Sequence, residues 1–194
     1  MTKSHSSRRA YGAKPASLRI STLGFHSSFV IRYSSFLIRF SSVSIRALIT
    51  RLTETSFLAG RVSKWTLPEV QPGPPGNEPI LKRLMLPQGE LAQLYDSEEG
   101  IKYIAFIELR ADSVRGNHYH KIKKEYVYML SGTVTLVLED TATQERQSCQ
   151  LTRGDLALIH PGIAHSLQVT ESGQAVEFSP NRFDAADIYR HKLV

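Results

Sequence analysis

RGNHYHKIKKEYVYMLSG, residues 115–132, is the stretch whose reading decides the fold. In an extended chain alternate side chains share a face, so His118 and His120 point the same way, about two strand rises of 3.3 Å apart. Two imidazoles at that separation can reach one ion at roughly 2.0–2.2 Å. A connection carrying Lys121, Lys123 and Lys124 then leads to Glu125, which opens the next apolar run and can fold back as an oxygen ligand. Further along, GDLALIHPGIAH at 154–165 reads as a strand, a Pro161-Gly162 turn and a third histidine, His165. Three imidazoles and one carboxylate with positions left open suit iron, manganese, nickel, copper or zinc; nitrogen and oxygen donors alone do not choose among them. The competing reading is a polar pocket that the histidines line without an ion.

Around this stretch the chain from Ile80 onward falls into short apolar runs, among them ILKRLML, KYIAFIELR, TVTLVLED, DLALI and AVEFS. Glycine-containing turn signals stand at Glu99-Gly100, Ser131-Gly132, Arg153-Gly154 and Ser172-Gly173. Many short strands at fairly even spacing predict an all-β sandwich or closed barrel, and the lack of βαβ alternation argues against a parallel sheet. FDAADIYR, after Asn181, predicts one short terminal helix. Residues 68–79, PEVQPGPPGNEP, predict a loop or an extended arm, while Ile49 to Leu67 leaves helix and strand both open. With Glu125 inward, strand parity sets Val127 and Met129 inward as pocket wall and Tyr126 and Tyr128 outward, as core between packed sheets or as a dimer contact.

Composition narrows the function. Of 194 residues 41% are hydrophobic and 22% charged, the balance of an ordinary globular protein. The net charge of +6 would suit a nucleic-acid binder. However, eight of the 24 basic residues and none of the 18 acidic ones lie in residues 1–50, so the remainder is slightly acidic and nucleic acid is not the expected partner. No apolar run is long enough to span a membrane. The single cysteine, Cys149, excludes an internal disulfide, favours a reducing compartment and hence the cytoplasm, and reads as a small buried hydrophobe. Residues 1–49 form a basic leader with a heptad near-repeat, SSFVIRY at 27–33, SSFLIRF at 34–40 and SSVSIRA at 41–47. It reads as a transit peptide, as a packed extension, or as repetitive DNA translated from a start assigned too far upstream. Residues 50–194 are the folding domain.

The two histidine stretches resemble the two motifs of the cupin superfamily. The first reads His118, His120, Glu125 and Gly132 at matching spacings, with Asp112 in place of the leading glycine. The second reads Gly154, Gly162 and His165, with His160 where proline is expected and Val169 where asparagine is expected. The resemblance implies an antiparallel jelly-roll barrel, often dimeric, with His118, His120, Glu125 and His165 as ligands of one divalent transition metal (Fe, Mn, Zn or Ni). Arg115-Gly-Asn-His-Tyr-His and EFSPNRFDAADIY further resemble cupin domains of capsular polysaccharide and nucleotide-sugar biosynthesis enzymes. That implies a metal-dependent isomerase or epimerase acting on a small oxygenated molecule, a sugar or sugar nucleotide. The alternatives are a non-catalytic small-molecule-binding cupin and an iron-dependent dioxygenase. Arg115 reads as a clamp for a carboxylate or phosphate at the pocket mouth, or as a surface arginine. His160 reads as a turn residue or a general acid/base, and the lysines as a solvated cluster. A homodimer is expected, through the arm or the face bearing Tyr126 and Tyr128.

Overall fold

The structure, a computed structural model, describes residues 53–194 except 75 and 77. The leader of residues 1–49 and its repeat lie outside the described residues. The strands are β1 (Thr53–Phe57), β2 (Val62–Thr66), β3 (Glu69–Val70), β4 (Lys82–Leu86), β5 (Gly89–Gln93), β6 (Tyr103–Leu109), β7 (Val114–Tyr119), β8 (Glu125–Asp140), β9 (Arg146–Thr152), β10 (Asp155–Ile159), β11 (Ile163–Ser179) and β12 (Tyr189–Arg190). The segment from Ile49 to Leu67, open on sequence grounds, thus holds two strands in its described part.

Two strands organise the rest. β8 and β11, 16 and 17 residues long, run antiparallel beside each other and both bend midway. Ser131-Gly132 and Ser172-Gly173, expected as turns between strands, are bends inside these continuous strands. The cause is close approach: Gly132 has φ +79°, and a Cβ there would lie 2.7 Å from the Glu171 carbonyl oxygen. The chain turns its corner there while staying in the ladder.

Because of the bends, each long strand serves two layers. One layer runs β1-β2-β10, the first half of β8, the second half of β11, then β6. The other runs β9, the second half of β8, the first half of β11, then β7 and β12. All these pairings are antiparallel, and the two layers face each other as a jelly roll. Val127 and Met129 from one half of β8, and Val134, Leu136 and Leu138 from the other, are buried together between them. The inward parity of Val127 and Met129 is as the sequence predicted.

A small sheet, β3-β4-β5, accompanies a second apolar cluster. In it Tyr128 and Phe178 are buried with Leu67 and Leu156, against Leu81, Leu94, Tyr95 and Tyr126. Tyr126 stacks on Phe178 at 4.9 Å. Tyr128 is 1% exposed, so its outward face is core within one chain. Part of the arm is ordered as β3, which pairs in parallel with β4. The terminal helix predicted after Asn181 is a single 3-10 turn, Ala185–Asp187, capped by the Asp184 side chain. No helix among the described residues is long and apolar enough to cross a membrane.

Candidate metal centre

His118 lies on β7, His120 just beyond its end, Glu125 at the first position of β8 and His165 near the start of β11. Antiparallel pairing sets His118 opposite His165. One residue along, Ser166 pairs with Gly116, so Asn117 is an extra residue in β7, a bulge with φ +56°. This bulge matters for the site. Positions 115 and 118 would face opposite ways on a regular strand, yet Arg115 and His118 line the same cavity. Gly116 permits the close packing beneath it: with φ +89°, a Cβ there would sit 2.7 Å from the His165 carbonyl oxygen.

The four side chains converge between the two layers. Their donor atoms all lie within 4.8 Å of one another. Glu125 stands between two imidazoles, with Oε2 3.5 Å from His120 Nε2 and Oε1 3.5 Å from His165 Nε2. At that length these contacts are electrostatic rather than hydrogen-bonded. His120, Glu125 and His165 are 4–5% exposed. Glu125 and His165 border a cavity of about 80 Å³, lined also by Ile107, Arg115, His118 and Glu177.

The residues fit a divalent ion on three grounds. His120 Nδ1 lies 2.7 Å from the Asp187 carbonyl oxygen, and His165 Nδ1 3.1 Å from that of Ile163. A carbonyl only accepts, so both Nδ1 atoms carry a proton, and Nε2 is the atom each ring would offer to an ion. Second, His165 Nε2 is buried with no hydrogen-bond partner among the described residues, an arrangement that calls for an explanation such as an ion. Third, donors bound at 2.0–2.2 Å stand roughly 3–4 Å from one another around an ion, close to the separations found.

Charges in the cavity are strongly coupled. Burial, with His165 adding to it, pushes His118 down to about 4, so its imidazole is neutral at neutral pH. Burial opposes the charge on Glu125, but His165, His120 and Lys123 outweigh it and hold the carboxylate well below its ordinary range. Burial likewise opposes the His165 cation, and Glu125 beside it raises the pKa overall. Without an ion, the site is held by Glu125 between imidazoles.

Three residues take places that their sequence context did not reveal. Lys123, expected in a solvated cluster, is 7% exposed and is bound between Glu125 and Glu177, with its Nζ 2.9 Å from Glu125 Oε2. The buried Glu125 and the half-buried Glu177 attract it inward, whereas Lys124 reaches Glu99 and Lys121 lies over the Tyr189 ring. Glu177 lines the cavity from β11, opposite Val127. Burial and the charge of Glu125 raise its pKa against the pull of Lys123. The signal was a lone carboxylate inside AVEFS, in phase with inward Ala175; the bend at Gly173 hid the phase. Asp187, read as part of a helix, accepts hydrogen bonds from the turn after His120.

The other candidates are also placed. Arg115 stands exposed at the cavity mouth and also borders an adjoining groove of about 400 Å³. His160 ends the β10 strand region in the turn before β11 and is not among the residues lining the cavity. Its pKa is lowered by partial burial and by Lys124 and Arg61. Cys149 is half-buried against the main core, and burial raises its thiol pKa.

Comparison with known proteins agrees on the fold. Among curated proteins none matches the chain in sequence. A 3,4-ketoisomerase from Helicobacter canadensis superposes with TM-score 0.51 and 21% identity, over 57% of this chain and 86% of that one. A dTDP-4-dehydrorhamnose 3,5-epimerase from Sulfolobus tokodaii gives TM-score 0.57 and 15% identity, over 72% and 81%. A 3,5-epimerase from Legionella pneumophila, in complex with dTDP-4-keto-L-rhamnose, gives 0.59 and 12%, over 74% and 79%. Residues 105–179 match the family model described as the cupin domain. That matched stretch holds both histidine motifs and the central strands of the jelly roll.

Proposed function

We propose that this protein is a divalent-metal-binding cupin that isomerises or epimerises a small oxygenated molecule, a sugar or sugar nucleotide. The observation that carries the reading is the convergence of three imidazoles and the Glu125 carboxylate, with donor atoms within 4.8 Å of one another and His165 Nε2 buried without a hydrogen-bond partner among the described residues. His118, His120, Glu125 and His165 would hold the ion, which when bound supplies a Lewis acid for a carbonyl oxygen. Glu177 faces the same cavity, is not in the ligand set, and holds or takes up a proton at its carboxylate. Lys123 fixes that carboxylate by a direct ion pair. Ile107, Val127 and Leu167 form an apolar wall that limits water. Arg115, at the mouth, is the cation for an anionic part of the substrate. Ketoisomerases and epimerases of nucleotide sugars among the structural neighbours support this substrate class. The same reading includes a homodimer in the cytoplasm. Its contact is on β6, a sheet edge among the described residues, where Ile104 and Phe106 are 67% and 63% exposed.

The test is proton exchange. The metal-loaded protein, incubated in heavy water with a 4-keto-6-deoxy nucleotide sugar, should place deuterium on carbon next to the ketone, read by proton NMR. Glu177→Gln should slow that exchange by roughly 10²–10⁴-fold while retaining the metal. Equal exchange in the variant would remove Glu177 from the role, and no exchange in the unaltered protein would remove the isomerase reading for this substrate.

A further inference from the structure

The C-terminal segment grips the ligand-bearing strand at two places, and neither grip belongs to the main apolar core. The first is Asp187, 6% exposed. Its carboxylate accepts the backbone N–H groups of Lys121 at 2.9 Å, Ile122 at 3.2 Å and Lys123 at 2.9 Å. Its own carbonyl accepts the His120 Nδ1 proton at 2.7 Å. One residue therefore fixes both the connection between His120 and Glu125 and the ring orientation of His120. The second grip is at the bulge between Arg115 and His118. Asn117, left without a ladder partner, accepts the His191 N–H on its carbonyl at 2.9 Å, and on its Oδ1 the N–H groups of Leu193 at 2.9 Å and Val194 at 3.3 Å. Tyr189 stacks on Tyr119, the residue between the two histidines, at 5.1 Å.

We propose that Asp187 is a positioning residue of the site, and that residues 187–194 clamp β7 so that His118 and His120 are presented in one fixed geometry. The metal part of this proposal rests on the reading above. An imidazole whose second nitrogen is tied to a fixed acceptor keeps one tautomer and one orientation, and such outer partners govern metal affinity.

The experiment uses the full chain, unaltered and as Asp187→Ala, Asp187→Asn and Asn117→Ala. Cobalt(II) binding is measured by calorimetry and by its visible absorption band, and the ring nitrogens of the metal-free protein by ¹⁵N NMR. Asp187→Ala keeps the backbone carbonyl that faces His120 Nδ1 but removes the carboxylate that ties it to residues 121–123; as that carbonyl shifts, cobalt binding should weaken by roughly 10–100-fold, the band should alter and His120 should leave its single Nδ1-protonated tautomer. Asp187→Asn keeps a carbonyl acceptor and should fall between. Should Asp187→Ala not fold, Asp187→Asn and Asn117→Ala decide, each with a smaller loss in the same direction. Unaltered cobalt affinity, band and His120 tautomer in these variants would overturn the proposal. If the unaltered protein takes no cobalt yet His120 loses its fixed tautomer in the variants, the clamp stands and the metal reading fails.

Discussion

The same stretch of β8 borders two buried ionic centres of opposite kinds. On its inner face Glu125 sits among imidazoles; on its outer face Tyr128 lies beside Arg83 and Glu90. The inner centre buries a carboxylate, Glu125, and the outer one a guanidinium, Arg83, and an unpaired buried charge is costly in either place. The outer centre is closed by its own partners. Arg83 Nε and Nη2 donate to the two oxygens of Glu90 at 2.7 and 2.9 Å, Nη1 donates to Glu69 at 2.7 Å, and Arg153 adds a contact to Glu90 at 2.6 Å. The inner centre is not closed in this way: among the described residues His165 Nε2 has no hydrogen-bond partner, and the Glu125 oxygens stand 3.5 Å from the imidazoles. Polar groups that satisfy one another fasten the small sheet to the barrel; the inner groups converge without satisfying one another, which is the ground of the proposed metal site.

That contrast predicts opposite responses to mutation. Arg83→Ala should cost about 3 kcal/mol in urea unfolding, at the low end for breaking a buried pair because Arg153 still reaches Glu90. Metal affinity should be unchanged, and a loss of metal in this variant would erase the distinction between the two centres. The acid response of the outer centre comes next. The Arg83 hydrogen bond, opposed by burial and aided by Arg153, lowers Glu90 to about 2. A depressed carboxylate stabilises the fold above its unfolded value of 4.5, and that contribution is lost as pH falls from 4.5 toward 2. Since Glu90 retains some solvent, the loss should be on the order of 2 kcal/mol. Glu90→Gln should flatten the stability profile in that window, and a profile as steep as the unaltered one would assign the acid response elsewhere. The smallest effect on folding belongs to β6. Phe106→Glu should leave the melting temperature nearly unchanged yet convert a dimer to a monomer by light scattering. A dimer that persists would move the contact off that face.

The fold and the convergence of His118, His120, Glu125 and His165 were legible for a physical reason: alternation along strands, and the fixed spacing of residues around each turn, can be read from the chain itself. What stayed hidden depends on register and long-range approach. The glycines at 132 and 173 signal turns locally, and only the opposed strand shows that they are bends within a ladder. The same bend decides that Glu177 faces inward. The bulge at Asn117 adds one residue to β7, which brings Arg115 and His118 to one face against simple parity. Lys121, Lys123 and Lys124 look alike in sequence, and only the carboxylates brought up by β8 and β11 single out Lys123. Tyr128, outward by parity, is covered by its own chain because residues 81–95 return across it.

The most direct measurement is the metal content of the protein purified without a histidine tag. Elemental analysis should find close to one divalent transition metal per chain, and His120→Ala should lose most of it while retaining the β-sheet fold. Absence of metal from the unaltered protein, even after reconstitution with iron, manganese, zinc or nickel, would contradict the account.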